Sequence, residues 1–222
     1  MQLALFDLDH TLVSGDSDQL WCDFLLDNGF LDEHWRGLGQ EIAARYTAGT
    51  IAPPEYSAFF ATMLEGHAVA ALRPLRERFL DQVIRPLIPP DARALLQRHR
   101  DAGDALLLTT ATNRVVSELT AADLGVDHYL CTELEIVEER YSGRTAGDPN
   151  MGIGKLKRLR QWLAGQGLDE EALKRATFYS DSINDLALLS VVGRPIVVDP
   201  DARLELTARR KDWAVIRFTR VC

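Results

Sequence analysis

Cysteine is scarce in this chain of 222 residues, where Cys22, Cys131 and Cys222 stand far apart and odd in number. Without a CxxC pair or a Cys/His cluster there is no zinc or dithiol motif, and the thiols read as buried or incidental in a reducing cytosol. Apolar runs are short, and none approaches the roughly 20 residues of a membrane span. No basic leader with a long apolar core stands at the start, so no signal peptide is read. Positive charge is also in deficit, with 25 Lys and Arg against 33 Asp and Glu and a formal charge of -8. A polyanionic partner such as nucleic acid rewards the opposite balance. The expectation is a soluble, cytoplasmic protein without nucleic-acid or membrane partners, its oligomeric state left open.

The composition, 46% hydrophobic and 26% charged, is ordinary for an enzyme-sized domain able to bury a core. Residues 2–6 form an apolar run ending at an acid, which suits a buried strand. From about Asp18 to Arg85 the pattern is helical, with breaks at Asn28-Gly29, Gly49 to Pro54 and Pro86 to Pro90. Beyond Pro90 strands and helices alternate. Strands are expected at 105–108, 127–131, 134–137, 140–144, 176–180, 196–198 and 214–218, and helices at 91–102, 114–124 and 152–165. That order predicts an α/β fold, a three-layer Rossmann-like core with a mostly parallel sheet, interrupted by an all-helical insertion. The division expected is 1–14 and 86–222 for the core and 15–85 for a helical cap.

Ligands of such sheets bind beyond the carboxyl ends of the strands. Three expected strands run directly into polar strings: Asp7-Leu8-Asp9-His10-Thr11, Thr109-Thr110-Ala111-Thr112-Asn113, and Asp181-Ser182-Ile183-Asn184-Asp185. Four carboxylates brought to one edge repel unless a proton or cation intervenes, and an oxygen-only donor set suits Mg2+. A single such Asp reads as a cap or turn residue, but DxDxT succeeded in order by DSxND does not. In GIGKLKRLRQWL, helical spacing puts Lys155 within the apolar arc of Leu156, Leu159 and Leu163, while Lys157 and Arg160 fall outside it. A lysine on the buried side requires an anionic partner.

These segments resemble the four motifs of the haloacid dehalogenase superfamily: DLDHTL (7–12), Thr110, Lys155 and DSIND (181–185). The helical insertion is similar to the cap of the phosphoserine-phosphatase-like branch. GDSDQLW, TATN, YSGRTAG and YSDSINDLALL resemble its histidinol-phosphatase-like bacterial subgroup. The resemblance implies a Mg2+-dependent phosphomonoesterase acting on a small-molecule phosphomonoester. It makes Asp7 the nucleophile that becomes an aspartyl phosphate, and Asp9 the general acid and base. It assigns Mg2+ to the Asp7 carboxylate, the Asp9 carbonyl and Asp181, supported by Asp185. It places Thr110, Lys155 and Asn184 on the phosphate. Thr109 adjoins Thr110 but points to the other side of the strand.

Asp16 lies where phosphoserine phosphatases carry the acid that reads the substrate amine, and Asp18 is close by. Asp16 equally suits a helix N-cap. An amine-bearing ester such as histidinol phosphate or phosphoserine is implied. The Arg-containing cap motif that holds a substrate carboxylate is not found, and GTIAPPEYSAFFATM occupies its place. Two alternatives share the chemistry of Asp7: a phosphotransferase or mutase, and a non-hydrolytic phosphoacceptor signalling domain.

Overall fold

The computed structural model describes residues 2–48 and 50–220; Cys222 and the expected break at Gly49 lie outside the described residues. The first strand, β1 (Leu3–Phe6), is wholly buried. After it come α1 (Ser17–Asp27), α2 (His34–Thr47), α3 (Pro53–Thr62) and α4 (Val69–Phe79), the last prolonged by a π-helical turn over Leu80–Ile84. No described residue between β1 and α5 (Pro90–Asp101) belongs to a strand of three or more residues. The alternating part then runs β2 (Ala105–Asn113), α6 (Arg114–Leu124), β3 (His128–Thr132), β4 (Leu134–Val137), β5 (Arg140–Thr145), α7 (Ile153–Gly165), α8 (Glu170–Arg175), β6 (Thr177–Ser180), α9 (Leu186–Leu189), β7 (Arg194–Val198), α10 (Ala202–Lys211) and β8 (Ala214–Ile216).

Six strands form one parallel sheet in the order β3-β2-β1-β6-β7-β8, while β4 and β5 pair separately as an antiparallel hairpin. Alternation along β1 divides the core. Leu3 and Leu5 face Leu156, Leu159 and Leu163 of α7, together with α8 and α10. Ala4 and Phe6 face the other layer, where α5 and α6 pack. That second layer is continuous with the helical insertion, since Phe6 and Leu8 share one cluster with Trp21, Phe24, Phe60, Leu64 and Phe79. The helical segment is thus joined to the sheet through a common apolar core.

Local rules account for the element ends. Gly125 stops α6 in the left-handed conformation that lacks a Cβ penalty. Asp16 caps α1 by accepting from the Gln19 amide at 3.0 Å. The hairpin turns on Glu138 and Glu139, both at positive φ (48° and 60°), the backbone that a two-residue hairpin loop demands. The hairpin leans on the insertion, where the Gly66 amide donates to the Tyr141 carbonyl and the Tyr141 amide to that of His67.

Candidate active site

The chain runs β1, β2, β3 to one side of the sheet and then returns to place β6 against β1 on the other. The strand order therefore reverses between β1 and β6, and the crevice at their carboxyl ends is where a ligand fits. Asp7 is the first residue beyond β1, and its amide donates to the Tyr179 carbonyl at 2.9 Å. Asp181 is the first beyond β6. The loop after Asp7 folds tightly, with the amides of Thr11, Leu12 and Val13 all donating to the Leu8 carbonyl. This turn brings the Thr11 hydroxyl to Asp181 Oδ1 at 3.0 Å. His10 sits at φ 54°, and Arg220 donates to the carbonyls of His10 and Thr11.

One end of the cavity is built around Lys155, 3% exposed, whose Nζ donates to Asp7 Oδ1 and Asp185 Oδ2 at 2.8 Å each. The apolar face of α7 thus delivers its buried lysine to the acids after β1 and β6. Ser180 adds its hydroxyl to Asp185 Oδ2 at 2.7 Å. Burial pushes the Asp7 carboxyl up to about 7; Lys155 opposes the rise, and the Asp185 and Asp9 charges add to it. Asp181 is raised well above the carboxylate range by burial and by Asp7. Burial acts to lower the Lys155 ammonium, but Asp185 and Asp7 outweigh it and hold the lysine charged.

Asp9 projects into the crevice between sheet and insertion. The Ser17 amide donates to its Oδ1 at 2.8 Å and the Thr112 hydroxyl to its Oδ2 at 2.5 Å. Burial and the neighbouring Asp16 nevertheless raise its pKa. Asp16 accepts from the Gln19 amide and, at 2.7 Å, from the Tyr56 hydroxyl. It serves as a helix cap and lines the cavity as well. Asp18, 5% exposed, receives the Asn113 side-chain amide at 3.1 Å. Burial, then the charges of Asp16 and Asp9, raise its pKa well above the ordinary range.

The cavity gathers Asp7, Asp9, Asp16, Asp18, Lys155, Asp181, Asn184 and Asp185 on one lining. Thr110 is set deeper. It is fully buried, its hydroxyl accepts from the Thr112 amide at 3.1 Å, and Ala111 and Thr112 are the β2 residues on the lining. Thr109 points elsewhere and accepts from Asn150 at 3.0 Å. Asn184 reaches across to the insertion, donating to the Tyr46 hydroxyl at 2.6 Å. Sequence reasoning missed Tyr46, Tyr56 and Thr112 as lining residues, and Ser17 and Asn113 as partners of the acids. The TATN string contained Thr112 and Asn113, and a threonine two residues from Thr110 on the same strand face was the available signal.

A parallel sheet with acids at its switch point, a buried lysine between Asp7 and Asp185, and helices that line the same cavity define a class of hydrolase. The chain belongs to the haloacid dehalogenase-like hydrolase family, whose model matches residues 4–190. A histidinol-phosphatase of Neisseria meningitidis serogroup C is 35% identical over 218 residues, covering 97% of this chain and 98% of the relative. A phosphoserine phosphatase of Mycobacterium tuberculosis is also 35% identical, over 229 residues, with 97% of this chain and 70% of the relative covered. Among solved structures, a protein of unknown function from Bordetella pertussis Tohama I superposes with a TM-score of 0.92 at 39% identity, with 97% of each chain covered. No helix among the described residues is long and apolar enough to cross a membrane.

Proposed function

We propose that this chain is a Mg2+-dependent phosphomonoesterase that passes the phosphoryl group of a small, amine-bearing ester through Asp7 to water. The observation that carries the reading is the pairing of roles at the end of β1. Asp7 is held by Lys155 at 2.8 Å, whereas Asp9, two residues on, is held by neutral donors from the insertion and β2. Two carboxyl groups so close in sequence thus have different partners, which suits one as nucleophile and the other as proton carrier.

The donor chemistry fits a hard dication. Among the described residues no group of three His, Cys, Asp or Glu side chains converges on one point. The set implied by the family is smaller, with the carboxylates of Asp7 and Asp181 and the Asp9 carbonyl, supported by Asp185. Such a set suits Mg2+, which keeps several waters and accepts phosphate oxygens. Burial is the main cause of the raised Asp7 and Asp181 carboxyls, and neighbouring carboxylates raise each further, a smaller contribution that a cation would relieve. Bound there, Mg2+ would supply Lewis-acid stabilisation of phosphoryl charge.

The protein's own groups account for the rest. Asp7 attacks phosphorus in line with the leaving oxygen, and the P–O bond to the alcohol breaks as the Asp7 ester forms. The proton on the Asp9 carboxyl passes to the leaving oxygen; Asp9 then takes a proton from the water that opens the acyl phosphate, and free Asp7 and inorganic phosphate result. Lys155 offers its third N–H to a non-transferring oxygen, since two are committed to Asp7 and Asp185. Asn184 stands on the same lining, while Thr110, which the resemblance also assigns to the phosphate, is off the lining and accepts from the Thr112 amide. The helical insertion, read as a cap over residues 15–85, covers the crevice and excludes bulk water.

The test is phosphate release from a panel of phosphomonoesters with and without Mg2+. We expect metal-dependent turnover in the native chain and a loss of about 10⁴-fold or more in Asp7→Asn. Undiminished turnover in that variant would overturn the role given to Asp7. A persistent phosphoenzyme without released phosphate would favour the signalling reading instead.

A further inference from the structure

The insertion's wall of the cavity holds aromatic groups as well as acids. Tyr46 of α2 and Tyr56 of α3 both line the cavity, and their rings stack with centroids 4.2 Å apart at 29°. Their hydroxyls are tied down in opposite directions. Asn184 donates to the Tyr46 oxygen, and Tyr56 donates to Asp16. Phe60 packs edge-on against Tyr56 with centroids 5.0 Å apart. Tyr56 is 4% exposed, whereas Tyr46 is only partly buried, so Tyr46 presents the accessible ring and Tyr56 backs it.

Next to this pair stand Asp16 and Asp18, and among the described residues no lysine or arginine pairs with either. Lys155 is the only lysine or arginine on the lining, and it is already shared by Asp7 and Asp185. Asn113 is the sole hydrogen-bonding neighbour of Asp18 among the described residues. A carboxylate on a ligand's distal end would meet two acids there with no cation to offset them, a like-charge arrangement that selects against it. An aliphatic ammonium would satisfy the acids but leave the tyrosine face unused. A flat protonated ring uses both, because the negative face of an aromatic ring attracts cations and stacks with planar groups.

We propose that Tyr46, backed by Tyr56 and flanked by Asp16 and Asp18, forms a subsite for a flat, protonated nitrogen ring at the far end of a phosphomonoester that carries no carboxylate. This rests on the phosphatase reading above and names its substrate class. Tyr46 is then a specificity-determining residue, with Tyr56 and Asp16 positioning it through the stack and the hydroxyl contact.

The closing experiment compares kcat/KM for histidinol phosphate (imidazole and amine), phosphoethanolamine (amine alone) and phosphoserine (amine and carboxylate), with p-nitrophenyl phosphate reporting the chemistry. The native chain should favour the imidazole ester over phosphoethanolamine by on the order of tenfold, the factor of a partly desolvated cation–π contact. In Tyr46→Leu that ratio should fall towards one through KM, and Tyr46→Phe should restore it. Because each ratio is taken within one variant, a general loss of activity cancels. In parallel, the imidazole protons of histidinol phosphate bound to Asp7→Asn should move upfield in NMR, and should not when Tyr46→Leu is added. An unchanged ratio in Tyr46→Leu, or no upfield shift, would overturn the subsite. A native chain that releases nothing from p-nitrophenyl phosphate or any ester would overturn the phosphatase reading, while the NMR shift would still report on the subsite.

Discussion

The two ends of the cavity treat negative charge in opposite ways. Around Asp7 and Asp185 the protein supplies a lysine at 2.8 Å to each and a serine hydroxyl besides. Around Asp16 and Asp18 the donors among the described residues are all neutral, namely the Gln19 amide, the Tyr56 hydroxyl and the Asn113 side chain. The first end has its counter-charge built in and is prepared for chemistry on an anion. The second leaves its acids without a cation, as suits a site whose counter-charge arrives with the ligand. One cavity can thus orient a molecule that is negative at one end and positive at the other.

Removing the built-in charge should have the largest effect. Lys155→Met leaves Asp7 and Asp185 buried without a counter-ion, and losing one partner of a buried pair costs about 3–5 kcal/mol. Turnover should also fall by about a hundredfold or more, the usual loss when one donor to transition-state charge is deleted. Thermal unfolding and single-turnover phosphate release together check this. A variant as stable as the native chain would mean that the two ends do not differ in the way the contacts indicate.

The next effect is a pH dependence in EDTA-treated protein. Asp7 is raised in the folded chain from its ordinary value of 3.8 to about 7, and Asp181 is raised in the same direction. Below about pH 4 these groups are protonated whether the chain is folded or not, and they contribute nothing. Between about pH 4 and 7 the unfolded chain releases protons that the folded chain retains, so stability falls as pH rises and levels off above the folded pKa of Asp7. The melting temperature should therefore be lower at pH 8 than at pH 5. Adding Mg2+ should raise it more at pH 8, because binding the folded chain stabilises it and protons no longer compete for the carboxylates. Equal Mg2+ effects at both pH values would remove the cation from this end of the cavity.

The same contrast explains what could be read from the sequence. Asp7, Asp9, Asp181 and Asp185 belong to short strings placed directly after buried apolar strands, and a strand with its turn is a local structure. Lys155 was legible from helical spacing alone, and it lies where that spacing put it, facing the acids. The other end is assembled from distant pieces. Ser17 meets Thr112 across 95 residues, Tyr56 meets Asp16 across 40, and Asn184 meets Tyr46 across 138. No local pattern announces such pairs, and nothing in the sequence around Tyr46 or Tyr56 marks either as a site residue. β2 runs to Asn113, beyond the expected 105–108, because its last residues are polar and escape a search for apolar runs. The short α8 and α9 span too few residues for a helical period to show, and α10 buries only Leu204 and Ala208.

The smallest effect should be of opposite sign to that at Lys155. Asp18→Asn keeps the shape of the side chain and the oxygen that accepts from Asn113, but removes a charge buried beside Asp16 and Asp9. The native carboxyl is raised above its ordinary value, so it costs stability once the pH exceeds that of unfolded Asp and costs nothing below it. The variant should therefore melt higher than the native chain at pH 7, at about 2–4 °C for each kcal/mol gained in a domain of this size, and the advantage should vanish near pH 4. Its KM for an amine-bearing ester should rise several-fold, as expected when an ion-paired contact becomes a neutral one. Higher stability together with weaker substrate binding identifies a residue kept for recognition at a cost to the fold. A variant that melts lower at every pH would show instead that Asp18 has its counter-charge within the protein, and the two ends of the cavity would then be alike.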